Sequence, residues 1–412
     1  MNLLYPITTY PPSTGGAQLY LHRIAVQLQA HHNVQVVSHW DNNRTDWLLG
    51  TTLRAPTVAG DYLIDGVPVH RIGLSAWEKL SISPFVPIYY PLMDVALPPI
   101  AALIERQLMP FAKDADLVHT VRLGREGISQ AAYSVARRRD LPFVLTPVHH
   151  PRWVGWRYRA FLRLYRAADA VFALTEAERR TLSALGVAEE RIHVTGTGPV
   201  LAEHADGAAF RRRHKLDGPL VLFLGQHYAY KGFRQLLDAA PLVWRRVPEA
   251  RFVFIGPSVR GSERAFSERA DPRIIRLGRV DLQEKTDALA ACDLLCVPSM
   301  QESFGGVYTE AWSMGKPVIG CPIPAVSEVI SDGDDGYLVP QAPAQIAERV
   351  IELLLDKGRA EMMGAAGRRK VEQRYTWEQL AQRTEAVYQR LTGKATSAQR
   401  WRGPKPERGD TQ

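Results

Sequence analysis

A chain of 412 residues, with 46% hydrophobic and 23% charged residues, is long enough to bury two hydrophobic cores and has the composition of a globular protein. No apolar run in the sequence approaches the roughly 20 residues that a membrane-spanning helix needs, which argues against an integral membrane protein. The net charge of +8 fits an anionic ligand or an anionic membrane surface. Motifs typical of nucleic-acid binding are missing, so no nucleic-acid partner is expected.

The N-terminus and the cysteines indicate a cytoplasmic protein. The chain enters a strand-like segment at Leu3 without the basic, apolar and cleavage regions of a secretory signal. Cys292, Cys296 and Cys321 are odd in number and lie in apolar sequence without paired spacing. This pattern favours buried free thiols over disulfides or zinc ligands. We expect a cytoplasmic location, with peripheral attachment to the inner face of the membrane as a further hypothesis.

The first 40 residues predict a βαβ unit. Residues 3–5 open a strand, Gly15 and Gly16 end a turn, residues 17–29 place apolar groups at helical spacing, and residues 34–38 form the next strand. This order is typical of a parallel sheet. Glycines before a helix can let a phosphate approach free backbone N–H groups, and a plain tight turn explains them equally well.

Two histidines follow predicted strands of the same sheet. Residues 115–119 predict a strand whose carboxyl end presents His119, and the next strand exits at His149 and His150. In open α/β sheets, ligands bind beyond the carboxyl ends of the strands. A structural role explains a strand-end histidine as well. Metal binding by His149 and His150 is not favoured, because adjacent side chains seldom face one ion.

Two segments allow more than one interpretation. Residues 82–100 lack periodicity and predict either a packed irregular connection or a loop lining an acceptor cleft. Residues 152–166 predict an amphipathic helix that either lies on an anionic membrane or packs on its own domain. Its arginine face and its apolar face consist, respectively, of Arg152, Arg159, Arg163 and Arg166, and of Trp153, Trp156, Ala160 and Leu164.

The chain divides near residue 200. Thr175 and Glu178 have the spacing of a capping box at the start of a helix. A glycine- and proline-rich hinge at 195–199 then precedes a second series of strands and helices. The polar, basic tail from 393 to 412 is predicted to be disordered.

The stretch from Leu294 to Gly315 has the pattern of a ligand site. A buried strand is followed by Glu302, by Gly305 and Gly306, and by a helix that carries Glu310. The glycines and the helix N-terminus can bind a phosphate, and carboxylates accept hydrogen bonds from sugar hydroxyls. A nucleoside-diphosphate sugar has both of these groups.

Glu302 and Glu310, with Phe304-Gly305 between them and Gly315-Lys316-Pro317 after them, resemble the signature of family 4 retaining glycosyltransferases of GT-B fold. The resemblance implies an α/β protein with two Rossmann-like domains whose parallel sheets face each other across a cleft. Residues 1–200 would form the acceptor-side domain and residues 201–375 the nucleotide-sugar domain. A helix over 376–392 would return to the first domain.

The resemblance also implies residue roles. His119, Glu302 and Lys231 would be catalytic, and His119 and His149 would lie on the acceptor side. The implied donor-binding residues are Gly15, Gly16, Gln226, Lys231, Glu302, Phe304, Gly305, Gly306 and Glu310. No metal or other cofactor is expected, because Lys231 and backbone amides would stabilise the leaving diphosphate and no Asp-x-Asp motif suits a divalent ion.

Three positions depart from the family pattern. Gln226 stands where many relatives have an arginine, so diphosphate binding is either weaker or supported by Arg234 or Arg279. Val121 and His150 replace residues that relatives use near the acceptor, which leaves the acceptor open.

The expected function is transfer of a sugar from a nucleoside-diphosphate donor to an acceptor hydroxyl with retention of configuration, in polysaccharide or glycolipid synthesis. A sugar-nucleotide epimerase and a non-catalytic nucleotide-sugar-binding subunit are the alternatives.

Overall fold

The structure is a computed structural model that describes residues 1–12, 15–40, 47–122, 127–150 and 155–393. Two α/β sheets follow one another along the chain, each with helices packed against it. Within these ranges, no helix has both the length and the apolar character needed to cross a bilayer.

The first sheet has eight strands in the order β3-β4-β2-β1-β5-β6-β7-β8, and its neighbours run parallel except for the edge pair β3 and β4. Its strands are β1 (Asn2–Thr9), β2 (Asn33–Trp40), β3 (Gly60–Ile64), β4 (Val67–Arg71), β5 (Leu117–Val121), β6 (Phe143–Thr146), β7 (Ala170–Ala173) and β8 (Ile192–Val194). The helices of this part are α1 (Gly16–Leu28), α2 (Trp47–Gly50), α3 (Ala76–Ile82), α4 (Phe85–Ile88), α5 (Met93–Leu108), α6 (Gly127–Arg138), α7 (Arg159–Ala167) and α8 (Glu176–Ala184).

The second sheet has six parallel strands in the order β11-β10-β9-β12-β13-β14. Its strands are β9 (Leu220–Leu224), β10 (Arg251–Ile255), β11 (Ile274–Gly278), β12 (Leu294–Cys296), β13 (Val318–Gly320) and β14 (Gly336–Leu338). The helices are α9 (Gly207–Arg213), α10 (Phe233–Trp244), α11 (Ser262–Ser267), α12 (Leu282–Ala291), α13 (Gly306–Ser313), α14 (Pro324–Val329), α15 (Pro343–Leu355), α16 (Lys357–Arg374) and α17 (Trp377–Thr392).

The central strands are buried along their whole length. Every residue of β5, β9 and β12 is buried, as expected for parallel strands covered by helices on both faces. The predicted fold class, two parallel α/β sheets, is therefore confirmed. The three cysteines are free and buried, as predicted.

Residues 82–100 are largely helical, contrary to the interpretation as an irregular connection or cleft loop. They form α4 and the first half of α5, and α5 continues to Leu108. Its buried face recurs at helical spacing through Met93, Leu97, Ile100 and Ile104. The helical spacing of buried residues continues beyond residue 100, so residues 82–100 alone contain too little of it to be recognised. Two prolines inside the helix weaken the sequence signal further.

The last helix, α17, returns to the first sheet. The Tyr388 hydroxyl lies 3.1 Å from that of Tyr5 on β1, and Glu385 accepts a hydrogen bond from His32 at 3.0 Å. The Trp377 indole N–H donates to the Pro199 carbonyl at 2.7 Å. The predicted division at residue 200 lies in the connection between the two sheets and stays a prediction. The predicted disordered tail lies outside the described residues beyond Gly393.

The amphipathic segment packs on its own domain. On its apolar face, Ala160 and Leu164 are buried in the core. Trp153 of the apolar face and Arg152 of the arginine face lie outside the described residues. Arg159 and Arg163 both donate to the carboxylate of Asp94, at 2.7 and 2.6 Å. These hydrogen bonds, from Arg163 first, hold the pKa of Asp94 below its usual value. Ala160 and Leu164 are therefore not available to lipid, whereas Trp156 on the same face is about half exposed.

Candidate functional site

A left-handed glycine starts the helix that follows β12. Gly305 has φ 91° and ψ 57°, and a Cβ there would lie 2.3 Å from the ring of Tyr308. Tyr308 is fully buried and donates its hydroxyl to the Val297 carbonyl at 2.7 Å, so its ring has no room to move away. Only glycine fits this position. The Tyr308 N–H donates to the Gly305 carbonyl at 2.9 Å, whereas the Gly306 and Val307 N–H groups precede the first acceptor of the helix and lie at the carboxyl edge of the second sheet.

The backbone of Gly306, the first residue of this helix, is not crowded by side chains. A Cβ on Gly306 would have no neighbour closer than 3.7 Å, where it would meet the Thr197 methyl group. A side chain at Gly306 would thus make only an ordinary van der Waals contact, and the residue itself is partly exposed. Free N–H groups and the helix dipole are the components of an anion site.

Lys231 and Glu302 lie side by side at this edge. Gly232, in the left-handed region at φ 81°, allows the 225–231 loop to touch Pro298, since a Cβ there would lie 2.6 Å from that residue. The contact places the Lys231 ammonium 2.5 Å from the Glu302 carboxylate. Their side chains are 20% and 12% exposed, so both remain within reach of a ligand in the crevice.

Glu310 is the second carboxylate, on the second turn of α13. It is 8% exposed, and its Oε1 accepts a hydrogen bond from Lys285 at 2.7 Å. Lys285 also donates to the Val200 carbonyl at 2.6 Å. Lys285 was not among the site residues predicted from the sequence. The sequence does contain a signal for the start of its helix, because Asp281 is a typical capping residue and accepts a hydrogen bond from the Glu284 N–H at 2.8 Å.

The carboxyl edges of the two sheets face each other. His149 follows β6, and its carbonyl accepts a hydrogen bond from the Ser303 hydroxyl at 3.3 Å. Ser303 is the residue directly after Glu302. In the first domain, Gly15 forms the N-cap of α1 with an extended backbone, and a Cβ on Gly16 would meet nothing within 4 Å. The donor roles of both glycines stay predictions.

Phe304, a predicted donor-binding residue, does not present its side chain to the crevice. The Phe304 ring is 3% exposed and packs edge-to-face on Tyr375, with ring centroids 5.2 Å apart, so any donor contact must come from its backbone. Arg234 donates to the Gly261 carbonyl at 3.3 Å and lines a separate hollow with Arg264 and Arg269. The expectation that Arg234 or Arg279 compensates for Gln226 stays a prediction.

His119 is not on the acceptor side, in contrast to the prediction. The strand continues to Val121, so His119 lies in its middle and is fully buried. Its Nδ1 bonds with the Tyr388 hydroxyl on α17, and its Nε2 bonds with Thr146 at 2.8 Å. Burial lowers the pKa of His119 to about 3. A neutral histidine with both nitrogens occupied holds α17 on the sheet and has no access to substrate.

His149 does lie at the cleft, where a buried carboxylate holds its backbone. Glu178 accepts the N–H groups of His149 and Leu174 at 2.5 and 2.7 Å. The capping box predicted at Thr175 is therefore only half formed: Thr175 accepts from the Glu178 N–H at 3.1 Å, but the Glu178 carboxylate points inward. Burial raises the pKa of Glu178 to about 7 and lowers that of His149 to about 4.

We expect His119→Gln to make the protein less sensitive to acid. The folded pKa of about 3 lies below the unfolded value of 6.5, so the unfolded state binds more protons between these values and the free energy of unfolding falls as the pH drops. Glutamine keeps hydrogen-bonding groups but does not titrate. Urea unfolding at pH 7 and pH 5 should show an acid loss smaller by about 2 kcal/mol in the variant.

The opposite outcome would restore the acceptor-side role of His119. In that case the variant would keep the wild-type dependence of stability on pH and would lose turnover at pH 7.

Comparisons with known proteins bear on both domains. Residues 15–198 match the model of the glycosyl transferase 4-like domain, and residues 218–356 match that of glycosyl transferases group 1. A D-inositol 3-phosphate glycosyltransferase of Xylanimonas cellulosilytica is 30% identical over 296 residues, which cover 64% of this chain and 70% of that protein.

A phosphatidyl-myo-inositol mannosyltransferase of Mycobacterium tuberculosis is 33% identical over 190 residues, which cover 44% of this chain and 50% of that protein. The match thus spans about half the length of the mycobacterial relative.

Solved structures share the fold. HepE of Anabaena, in complex with UDP and glucose, has a TM-score of 0.71 at 19% identity, covering 94% of this chain and 99% of that one. Sucrose-phosphate synthase of Thermosynechococcus elongatus has a TM-score of 0.71 at 20% identity, covering 95% of this chain and 100% of that one. The chain therefore belongs to the glycosyl transferases group 1 family and has the GT-B fold.

Proposed function

We propose that this protein transfers a sugar from a nucleoside-diphosphate donor to an acceptor hydroxyl and retains the anomeric configuration. The observation that carries the proposal is the crevice in which Lys231 and Glu302 adjoin the N-terminus of α13, with Glu310 one turn further on. A cation and free amides suit a diphosphate, and the carboxylates suit the hydroxyls of the two sugars that flank it.

In this proposal each group has one task. Gly305, Gly306 and Lys231 stabilise the charge that grows on the leaving diphosphate, which is the main electrostatic demand of the reaction. Glu302 accepts hydrogen bonds from the transferred sugar, and Glu310 accepts them from the ribose. Charge stabilisation of this kind does not need a metal, and the expectation that none is required stays a prediction.

The relatives favour a cyclitol or lipid-linked acceptor. The names of the two relatives above contain inositol phosphate and phosphatidyl-inositol. A neighbour of the same fold binds UDP. We propose glycolipid synthesis as the setting, with a uracil nucleotide as the first donor to test.

A thermal-shift screen over UDP-, GDP- and ADP-sugars tests the donor class. Binding to the folded state raises the melting temperature by mass action, and a hundredfold excess over Kd contributes about 2.7 kcal/mol. We expect one nucleotide series to stabilise the protein. The selected donor is then incubated with inositol acceptors, and NMR of the product should show a retained anomeric configuration. An epimerised donor without any transfer would favour the epimerase alternative.

We also propose that the first domain touches an anionic membrane through a basic patch formed by Arg163 and Arg166 of α7, together with the exposed Trp156. Leu92, Val95 and Trp156 are all about half exposed, and Leu92 and Val95 flank the Asp94 that holds Arg163. Arginine near an anionic surface contributes about 1 kcal/mol per residue.

We expect Arg163→Glu with Arg166→Glu to lower the fraction bound to phosphatidylglycerol vesicles at least tenfold, because two attractive charges become repulsive, at about 1 kcal/mol per charge. Sedimentation with vesicles measures this fraction. Arg245→Glu with Arg246→Glu, two exposed positions on the second domain, makes the same change in net charge. Equal loss in both double variants would show that net charge, rather than the basic patch, drives binding.

A further inference from the structure

Lys285 joins the candidate ribose carboxylate to the connection between the two domains. Its ammonium lies 2.7 Å from Glu310 Oε1 and 2.6 Å from the Val200 carbonyl oxygen. The side chains of Lys285 and Glu310 are only 16% and 10% exposed. Most lysines extend into water, so an enclosed lysine with two acceptors has a fixed position.

Neighbouring residues of α12 fix that position further. Thr286 accepts a hydrogen bond from the Ala202 N–H at 2.9 Å, and Asp287 accepts one from the Asp206 N–H at 2.8 Å. Gln283 donates to the His204 carbonyl at 2.9 Å. The helix is therefore attached to the interdomain connection on both sides of Lys285, and the lysine cannot shift along it.

Glu310 depends on this lysine. Among the described residues, Lys285 is the hydrogen-bond partner of the Glu310 carboxylate, and it occupies only Oε1. A nearly buried carboxylate that loses its partner is strongly disfavoured, so it would turn toward water. With Lys285 present, the carboxylate keeps one orientation and its Oε2 remains able to accept a hydroxyl. The ammonium also offsets a negative charge that would otherwise repel the nearby diphosphate.

We infer that Lys285 is a positioning residue that fixes Glu310 for recognition of the donor ribose. The inference rests on the proposed function, in which Glu310 accepts hydrogen bonds from the ribose hydroxyls. Lys285 itself touches no substrate in this scheme. Its effect should therefore appear in the preference for ribose over deoxyribose, and much less in the binding of the diphosphate.

The test compares UDP with 2′-deoxy-UDP, and GDP with 2′-deoxy-GDP, by calorimetry on the full chain. In the wild type we expect the ribonucleotide of one pair to bind on the order of tenfold more tightly, as for one hydrogen bond to a charged group. In Lys285→Met the preference should fall below about threefold, because the carboxylate is no longer held. Lys285→Arg should restore it in part, since a guanidinium can reach both acceptors.

Thr286→Ala is the matched control. It removes a contact to the interdomain connection from the same helix without touching Glu310, and it should keep the wild-type preference. If Lys285→Met does not fold, Lys285→Gln carries the test, because its shorter amide cannot hold both acceptors.

Each outcome has a separate meaning. A wild type that prefers the ribonucleotide and a Lys285→Met variant that prefers it equally would overturn the inference about Lys285 alone. A wild type that binds a diphosphate without preferring ribose would overturn the role of Glu310 and this inference with it. A wild type that binds neither UDP nor GDP would count against both the uracil and the guanine forms of the proposed function.

Discussion

Lys231→Ala is expected to lower kcat/KM for sugar transfer at least tenfold, a loss of about 1.4 kcal/mol in transition-state stabilisation. Lys231 is the cation that the 225–231 loop places beside the N-terminus of α13, and Gln226 supplies no charge of its own. Loss of a preorganised donor at a developing negative charge costs about a hundredfold or more in other enzymes. Steady-state kinetics with the donor identified by the thermal-shift screen measures the effect.

Two controls separate charge stabilisation from side effects. Lys357→Ala removes a lysine that lines a cavity at the opposite, amino edge of the second sheet, and it should leave kcat/KM unchanged. Lys231→Ala also leaves the Glu302 carboxylate without its partner, and that free charge could itself repel the diphosphate. In the double variant Lys231→Ala with Glu302→Gln this repulsion is gone. Full recovery of turnover in the double variant would contradict the assigned role of Lys231.

The second large effect is expected for Glu310→Ala, which should raise the Kd of the nucleoside diphosphate at least tenfold. The change removes the acceptor of the ribose hydroxyls and leaves Lys285 with only the Val200 carbonyl. The lost hydrogen bond to a charged acceptor costs on the order of 1.5–3 kcal/mol, which corresponds to at least a tenfold rise in Kd. Calorimetric titration at a temperature well below the melting point keeps the loss of stability apart from the loss of binding.

Glu361→Ala is the control for Glu310. Glu361 is an exposed glutamate on α16 that lines the cavity at the amino edge, so its removal should not alter the Kd. Glu310→Gln should give an intermediate Kd, because an amide oxygen still accepts from a hydroxyl but pairs more weakly with Lys285. An unchanged Kd in Glu310→Ala would remove the ribose from this position.

The sequence was most informative where a residue type has a single physical reason to be present. The buried strands appear as continuous apolar runs, which parallel sheets produce. Gly305 has a left-handed backbone conformation, which favours glycine, and the crevice forms around it. The pairing of Lys231 with Glu302 follows from two loops that leave adjacent strands at the same edge.

Other features depend on tertiary contacts that leave little local signal. β5 is buried on both faces, so no alternation of polar and apolar residues shows where it ends. His119 was therefore predicted at the carboxyl end of the strand, which in the structure lies two residues later, at Val121. Glu178 has the spacing of a capping residue, but its carboxylate turns inward to two backbone N–H groups. Lys285 acquires its importance only because residue 200 returns to α12 in space.

The most direct test of the crevice is a crystal structure of this protein with the nucleoside diphosphate that binds it best. We predict the pyrophosphate against the amides of Gly305 and Gly306 with Lys231 Nζ in contact, and the ribose hydroxyls on Glu310. A diphosphate bound away from the N-terminus of α13, with the Lys231–Glu302 pair untouched, would contradict the account.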